Sequence, residues 1–167
     1  MSHDAPLLRG WVPGLLGEVI AEHGRYYATH WRLGADFEAK VAEAMGTWIA
    51  RYDPSRDLIL HARDADGLLG SISLDGIGSP AEGGRIRFFI LADRARGTGI
   101  GRRLLGELMA FAQASGQQRL WLTTFRGLDA ARHLYERHGF HLVDETLDRS
   151  WGQPLHEQRF EWQAPGT

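Results

Sequence analysis

The stretch Arg96-Gly97-Thr98-Gly99-Ile100-Gly101-Arg102-Arg103 holds the residues whose types and spacing best support chemistry. Three glycines at alternate positions let a backbone approach a ligand closely and present successive N–H groups to it. The stretch lies between a strand-like run and an amphipathic segment of helical period, so those N–H groups fall at the positive end of a helix dipole. Backbone, dipole and flanking arginines together make a site for a phosphate or pyrophosphate. Each dipole-type contribution is worth roughly 0.3–1 kcal/mol, so several must converge. Two common nucleotide loops do not fit. A nucleoside-triphosphate loop requires Gly-Lys-Ser/Thr, and there is no lysine here. The dinucleotide fingerprint requires a glycine where Arg102 stands and an acidic residue about 20 positions further on, and has neither.

Other reactive side chains are less organised. Glu18 and Glu22 are four apart and share one helix face. Asp75 ends a strand-like run. Each reads more readily as a solvated carboxylate than as a base, and no motif selects one of them. There are eight histidines. His23 and His30 are seven apart, and His138 and His141 straddle Gly139, but neither pair has a third ligand at a familiar spacing, so no metal site is expected.

The elements that must position these residues follow from periodicity. Helices are predicted over 15–30 and 35–51, the first with Leu16, Val19, Ile20, Tyr27 and Trp31 inward and the second with Phe37, Val41, Met45 and Trp48. Asp53-Pro54 closes the second helix. Strands are predicted over 57–62 and 68–74 about a turn at 64–67, then over 85–91 beyond a polar loop at 76–84. A helix over 98–115 stops at Gly116, and a strand covers 119–125. A helix capped by Asp129 runs to about His138, and two strands, 141–147 and 157–162, finish the chain. The expected fold is a single α/β domain over residues 1–167, with no internal repeat or linker.

Composition narrows the function. With 167 residues, 19 Lys plus Arg and 21 Asp plus Glu, the formal net charge is −2, which argues against a nucleic-acid binder. There is no cysteine, so disulfides, iron–sulfur clusters and thiol nucleophiles are excluded. No apolar run approaches the roughly 20 residues of a membrane helix. The first six residues show no secretory pattern. A cytoplasmic protein with no membrane or nucleic-acid partner is expected.

Arg96-x-x-Gly99-x-Gly101, after a strand and opening a helix, resembles the acetyl-CoA signature of the GNAT superfamily of N-acetyltransferases. A second segment, Ala131-Arg132-His133-Leu134-Tyr135-Glu136-Arg137-His138-Gly139-Phe140, resembles that family's Ala-x-x-Leu-Tyr-x-x-x-Gly-Phe helix. The order of elements agrees, so the likeness spans nearly the whole chain. Residues 17–27 and 140–162 are most similar to acetyltransferase domains fused behind MarR-type winged-helix regulators, although no winged helix is read here.

The resemblance implies a mixed, mainly antiparallel sheet, flanked by about four helices and splayed at the cofactor site. The pantetheine arm of acetyl-CoA would fill the gap like a missing strand. Ile90 and Leu91 would offer it backbone groups, the Leu91 N–H facing the thioester oxygen as charge develops. Arg96, Gly97, Thr98, Gly99, Ile100, Gly101 and Arg102 would wrap the pyrophosphate, with Arg103 either joining them or remaining a solvated helix charge. Tyr135 would protonate the departing CoA thiolate. Many relatives carry asparagine where Leu128 stands, so Thr124 or Asp129 would have to replace its cofactor contacts. The acceptor pocket would lie between the first two helices and the last hairpin, lined by His23, Tyr26, Tyr27, Trp31 and Trp151. Trp48 and Trp121 are read as core. An aromatic wall near acids suits an amine cation. The implied activity is transfer of acetyl from acetyl-CoA to an amine of a small molecule or peptide by direct attack, in an enzyme that is commonly a homodimer. The alternative is an acyl-CoA-binding sensor or regulatory module without turnover.

Overall fold

The protein is described by a computed structural model covering residues 4–78 and 81–166. Ser79 and Pro80 of the loop at 76–84, and the first three residues of the segment searched for a secretory pattern, lie outside the described residues.

In chain order the elements are β1 (Leu7–Arg9), α1 (Leu15–Trp31), α2 (Ala35–Ile49), β2 (Leu58–Asp64), β3 (Gly67–Asp75), β4 (Gly84–Leu91), α3 (Ile100–Ala114), β5 (Arg119–Phe125), α4 (Asp129–Arg137), β6 (His141–Asp148) and β7 (Leu155–Gln163). A single 3-10 turn, Asp93–Ala95, joins β4 to the glycine loop. The strands form one seven-stranded sheet in the order β1-β2-β3-β4-β5-β7-β6. Every neighbouring pair is antiparallel except β4 and β5. The expected α/β architecture with four helices is the one observed.

Three details differ from the sequence reading. Strand β1 is only three residues long, too short to show an alternation, and its place is fixed by pairing with β2. Asp129 is the first residue of α4 rather than its cap; the cap position is Leu128, and no side chain bonds there. On α1 the buried row is Leu15, Val19 and His23, one step round from the predicted Leu16-based stripe. A histidine on that row is invisible to a search for apolar spacing.

The sheet separates two apolar layers. On one face α3 buries Leu104, Leu105 and Leu108 against Leu69, Ile72 and Leu122, with Tyr135 of α4 in the same cluster. On the other, Leu15 and Val19 of α1 and Met45 and Trp48 of α2 pack against Ile59, Leu68 and Ile90. Trp48 is 1% exposed, as its place on the helix period predicts. Trp121 is not core: it lies on the α1–α2 face of the sheet, between the guanidinium groups of Arg85 at 4.6 Å and Arg159 at 4.0 Å.

Candidate active site

The site begins where the sheet comes apart. Strands β4 and β5 pair only at Gly84–Leu120 and Arg85–Trp121, and beyond that register the ladder stops. Ala92 N–H donates to Leu69 O of β3 at 2.8 Å. Backbone groups alternate sides along an extended chain, so those of Leu91 turn the other way, into the gap. Ile90 stands opposite Ser71 of β3 and buries its side chain under α1.

A bulge re-aims the strand just before this point. Ser73 and Ser71 of β3 lie opposite Arg87 and Ile90, so β4 carries an extra residue between them. Phe88 takes up the distortion at φ 53°, a left-handed conformation that a bulky residue holds only when its surroundings impose it. As a result Arg85, Arg87 and Phe88 face the α1–α2 side, while Phe89 and Leu91 pack with the α3 cluster.

The glycine loop follows. Gly97 and Gly99 have φ of 75° and 87°, and a Cβ on either meets no atom within 4 Å. Gly99 occupies the cap position of α3, where no side chain bonds the helix end and no acidic residue lies in the first turn. The first N–H groups of a 15-residue helix therefore stand open beside an uncluttered backbone, the surface a pyrophosphate requires. Thr98 Oγ1 turns inward to Ala95 O at 2.5 Å. Ile100 is fully buried, Arg102 is exposed, and Gly101 lets α3 approach β4 so closely that a Cβ there would lie 3.1 Å from Leu91. Arg96 is turned from the loop toward the cavity. Its guanidinium lies 4.4 Å from the Tyr26 ring, donates to Leu91 O at 3.1 Å and pairs with Asp93 at 3.2 Å.

Between α1, β4, β5, α4 and the β6–β7 hairpin is a cavity of about 310 Å³. Its wall includes Ile90, Leu91, Arg96 and Tyr135 of the residues expected on the donor side and His23, Tyr26, Tyr27 and Trp151 of those expected on the acceptor side, whereas residues 97–102 of the loop lie outside it. Trp31 does not line it. It stands behind the wall, with its ring 6.4 Å from Tyr27 and 5.9 Å from Phe125. Leu128 and Thr124 reach the cavity and Asp129 does not.

Tyr135 is 6% exposed, and burial raises the pKa of its phenol, with Tyr27 adding to the effect. The hydroxyl therefore keeps its proton at neutral pH. Tyr27 is raised for the same first reason, burial. His23 is lowered to about 4, mainly by burial, and is neutral; its Nδ1 lies 2.8 Å from Val19 O.

None of the three carboxylates singled out from the sequence lines the cavity. Glu18 pairs with Arg63 at 2.9 Å and Glu22 with Arg25 at 3.5 Å. Asp75 is not a solvated carboxylate: it is 6% exposed and receives a two-pronged hydrogen bond from Arg51, at 3.0 and 2.7 Å, and another from Arg87 at 3.3 Å. Burial opposes its ionisation, but the two guanidinium groups outweigh it and its pKa is lowered. The acid that does line the cavity is Glu157 of β7, which the sequence reading passed over. Its only signal is the alternation Glu157, Arg159, Glu161 against Gln158, Phe160, Trp162, which reads equally well as a solvated strand face. Among the described residues no group of three or more His, Asp or Glu side chains is arranged to hold a metal ion. No described helix is long and apolar enough to cross a membrane.

Comparison with known proteins gives the family and, with it, the class of enzyme. Residues 20–140 match the family described as Acetyltransferase (GNAT) family. The chain belongs to it, and acetyl-CoA is its acetyl donor. No curated protein sequence matches the chain. Among solved structures, a candidate phosphinothricin N-acetyltransferase is 20% identical with a TM-score of 0.72, covering 96% of this chain and 100% of its own. A spermidine N-acetyltransferase variant from Vibrio cholerae is 17% identical at 0.68, covering 95% and 94%. A candidate streptothricin acetyltransferase from Bacillus anthracis, solved with acetyl coenzyme A, is 17% identical at 0.60, covering 71% and 68%. These likenesses are to the fold.

Proposed function

We propose that this acetyltransferase moves acetyl from acetyl-CoA directly onto the primary amine of a small molecule, using residues 1–167 as one catalytic domain. Within the family, residues 17–27 and 140–162 resemble the acetyltransferase domains fused behind MarR-type regulators, a likeness carried by sequence alone. The observation that carries the reading is the gap between β4 and β5, because it leads from the glycine loop to a cavity walled by both Leu91 and Tyr135. Two solved neighbours carry the names of small-molecule amine acetyltransferases, one for spermidine and a candidate one for phosphinothricin.

Acetyl-CoA supplies the acetyl group as a thioester. Gly97, Gly99 and the first N–H groups of α3 hold the pyrophosphate, with Arg102 adding charge from solvent. Arg96 must exchange its bond to Leu91 O for a ligand contact, since that carbonyl belongs to the strand edge the pantetheine arm occupies. Leu91 N–H steadies the charge that develops on the carbonyl oxygen. Tyr135 holds its proton until the sulfur departs and then gives it up. Aromatic rings from Tyr26, Tyr27 and Trp151 exclude water around the amine.

Steady-state kinetics of Tyr135→Phe test this. Turnover should fall by roughly 10²- to 10⁴-fold, with the acetyl-CoA dissociation constant unchanged. Unaltered turnover would return Tyr135 to a packing role beside Phe140 and Phe160.

A further inference from the structure

The charged groups on the cavity wall are Arg85, Arg87, Arg96 and Glu157. Two of them already have counter-charges: Arg87 pairs with Asp75 at 3.3 Å and Arg96 with Asp93 at 3.2 Å. The other two have no counter-charge within ion-pair distance among the described residues, and each feels the other's opposite charge only at longer range. Among the described residues the Arg85 side chain has a single hydrogen bond, from Nη2 to Thr123 Oγ1 at 3.3 Å, and its Nε is buried without a partner. It has no ion pair among the described residues, although its neighbour Arg159 is paired with Glu161 at 3.2 Å and Glu82 at 3.7 Å. Burial lowers the Arg85 pKa to about 10, and it remains a cation at neutral pH. The backbone of Glu157 lies in the ladders with β5 and β6, but its carboxylate has no hydrogen bond or ion pair among the described residues. Its pKa is raised first by burial and then by Asp148, with Arg85 acting the other way. Both side chains are half-buried, where a charge without a close partner is penalised, and a fork of five N–H donors needs oxygen acceptors.

The two unpaired charges are of opposite sign and are set apart along the strands. Arg85 stands at the closed end of the gap, opposite Trp121, and Glu157 toward its mouth, opposite Phe125. We infer that the acceptor is a small zwitterion, a primary amine carrying a carboxylate or similar oxyanion, whose oxyanion Arg85 holds and whose ammonium Glu157 receives. The inference rests on the acetyl-transfer reading and supplies its substrate class. In the transfer step the ammonium gives one proton to the Glu157 carboxylate, which later releases it to solvent. The neutral nitrogen bonds to the acetyl carbon as the carbon–sulfur bond breaks. Tyr135 protonates the sulfur, and the nitrogen's second proton returns to Tyr135 through solvent. One proton is released overall.

The experiment compares matched acceptors: L-methionine, L-leucine, L-phenylalanine and L-glutamate, their α-amides, the corresponding 1-aminoalkyl phosphonates, and spermidine as a cation without an acid group. Thiol release from acetyl-CoA is the readout. At least one acid or phosphonate should exceed its amide by roughly 10- to 100-fold in kcat/KM, the range for a hydrogen bond to a charged group. Arg85→Gln should collapse that ratio toward one, whereas Glu157→Gln should lower turnover of acid and amide together and keep the ratio. An acetyl-CoA-induced rise in melting temperature in each variant shows that it is folded. Amides or spermidine turned over as well as the acids, no acid or phosphonate turned over at all, or a ratio unaffected by Arg85→Gln overturns the inference. Acetylation of amides or spermidine without acid preference overturns it while leaving the acetyl-transfer reading intact. Failure of acetyl-CoA to bind the wild type overturns both.

Discussion

Replacing Gly99 by alanine separates the anion-cradle role of the loop from its role as a turn. Gly99 has φ 87°, and an added Cβ meets nothing within 4 Å, so the substitution introduces backbone strain without a clash. Holding an L-residue in the left-handed region costs roughly 1–2 kcal/mol. At about 2–4 °C per kcal/mol for a chain of this size, the free protein should melt roughly 2–8 °C lower. Gly116 supplies a matched control. It has φ 89° and an equally open surround, but follows the other end of α3, about 22 Å away along a 15-residue helix. Gly116→Ala should lower the melting temperature by a similar amount. The variants differ in their response to acetyl-CoA. At 100 times the dissociation constant the wild type gains about 2.7 kcal/mol, a rise of roughly 5–10 °C. A methyl group in the cradle that weakens binding a hundredfold leaves about 0.4 kcal/mol at the same concentration, a rise of about 1 °C. Gly116→Ala should keep the full rise. The reasoning fails if Gly99→Ala responds like wild type, or if the two variants lose the response equally.

Two further outcomes concern residues that resemble catalytic groups. His23 is buried and its pKa is lowered from 6.5 to about 4, so the native state resists a proton that the unfolded chain accepts. Its contribution is complete above pH 6.5 and is lost as pH falls toward 4, about 3 kcal/mol in all. Urea midpoints between pH 7 and 4.5 should therefore fall less steeply for His23→Gln than for wild type, and identical slopes would refute this. Asp75→Asn leaves Arg51 and Arg87 without their shared carboxylate and should cost roughly 2–3 kcal/mol in denaturant unfolding, with kcat within a few-fold of wild type. A large fall in kcat at unchanged stability would instead make Asp75 the base.

Much of this molecule is legible from local pattern. The leucines of α3 recur at helical spacing, the strands alternate, and Gly97, Gly99 and Gly101 mark a backbone that must stay bare. The positions of Tyr135 and Leu91 follow from the register of two motifs. What was hidden depends on pairing between distant segments. Glu157 reaches the cavity because β7 enters the sheet beside β5, opposite Phe125, a relation carried by no nearby residue. Asp75 looked available because its two arginine partners come from the turn after α2 and from β4. Trp121 fits a strand core by alternation, yet its face of the sheet is crossed by two guanidinium groups. The bulge at Phe88, which decides which arginines face the cavity, appears in the strand sequence as one ordinary aromatic.

The central claim is that the gap between β4 and β5 is a site of acetyl transfer rather than of acyl-CoA storage. The direct measurement incubates the protein with acetyl-CoA and small primary amines, following thiol release and the mass of the amine product together. The account predicts CoA and acetylated amine in equal amounts, both dependent on enzyme and acceptor. Tight acetyl-CoA binding with no acetylated product from any amine would contradict it and make the protein a sensor.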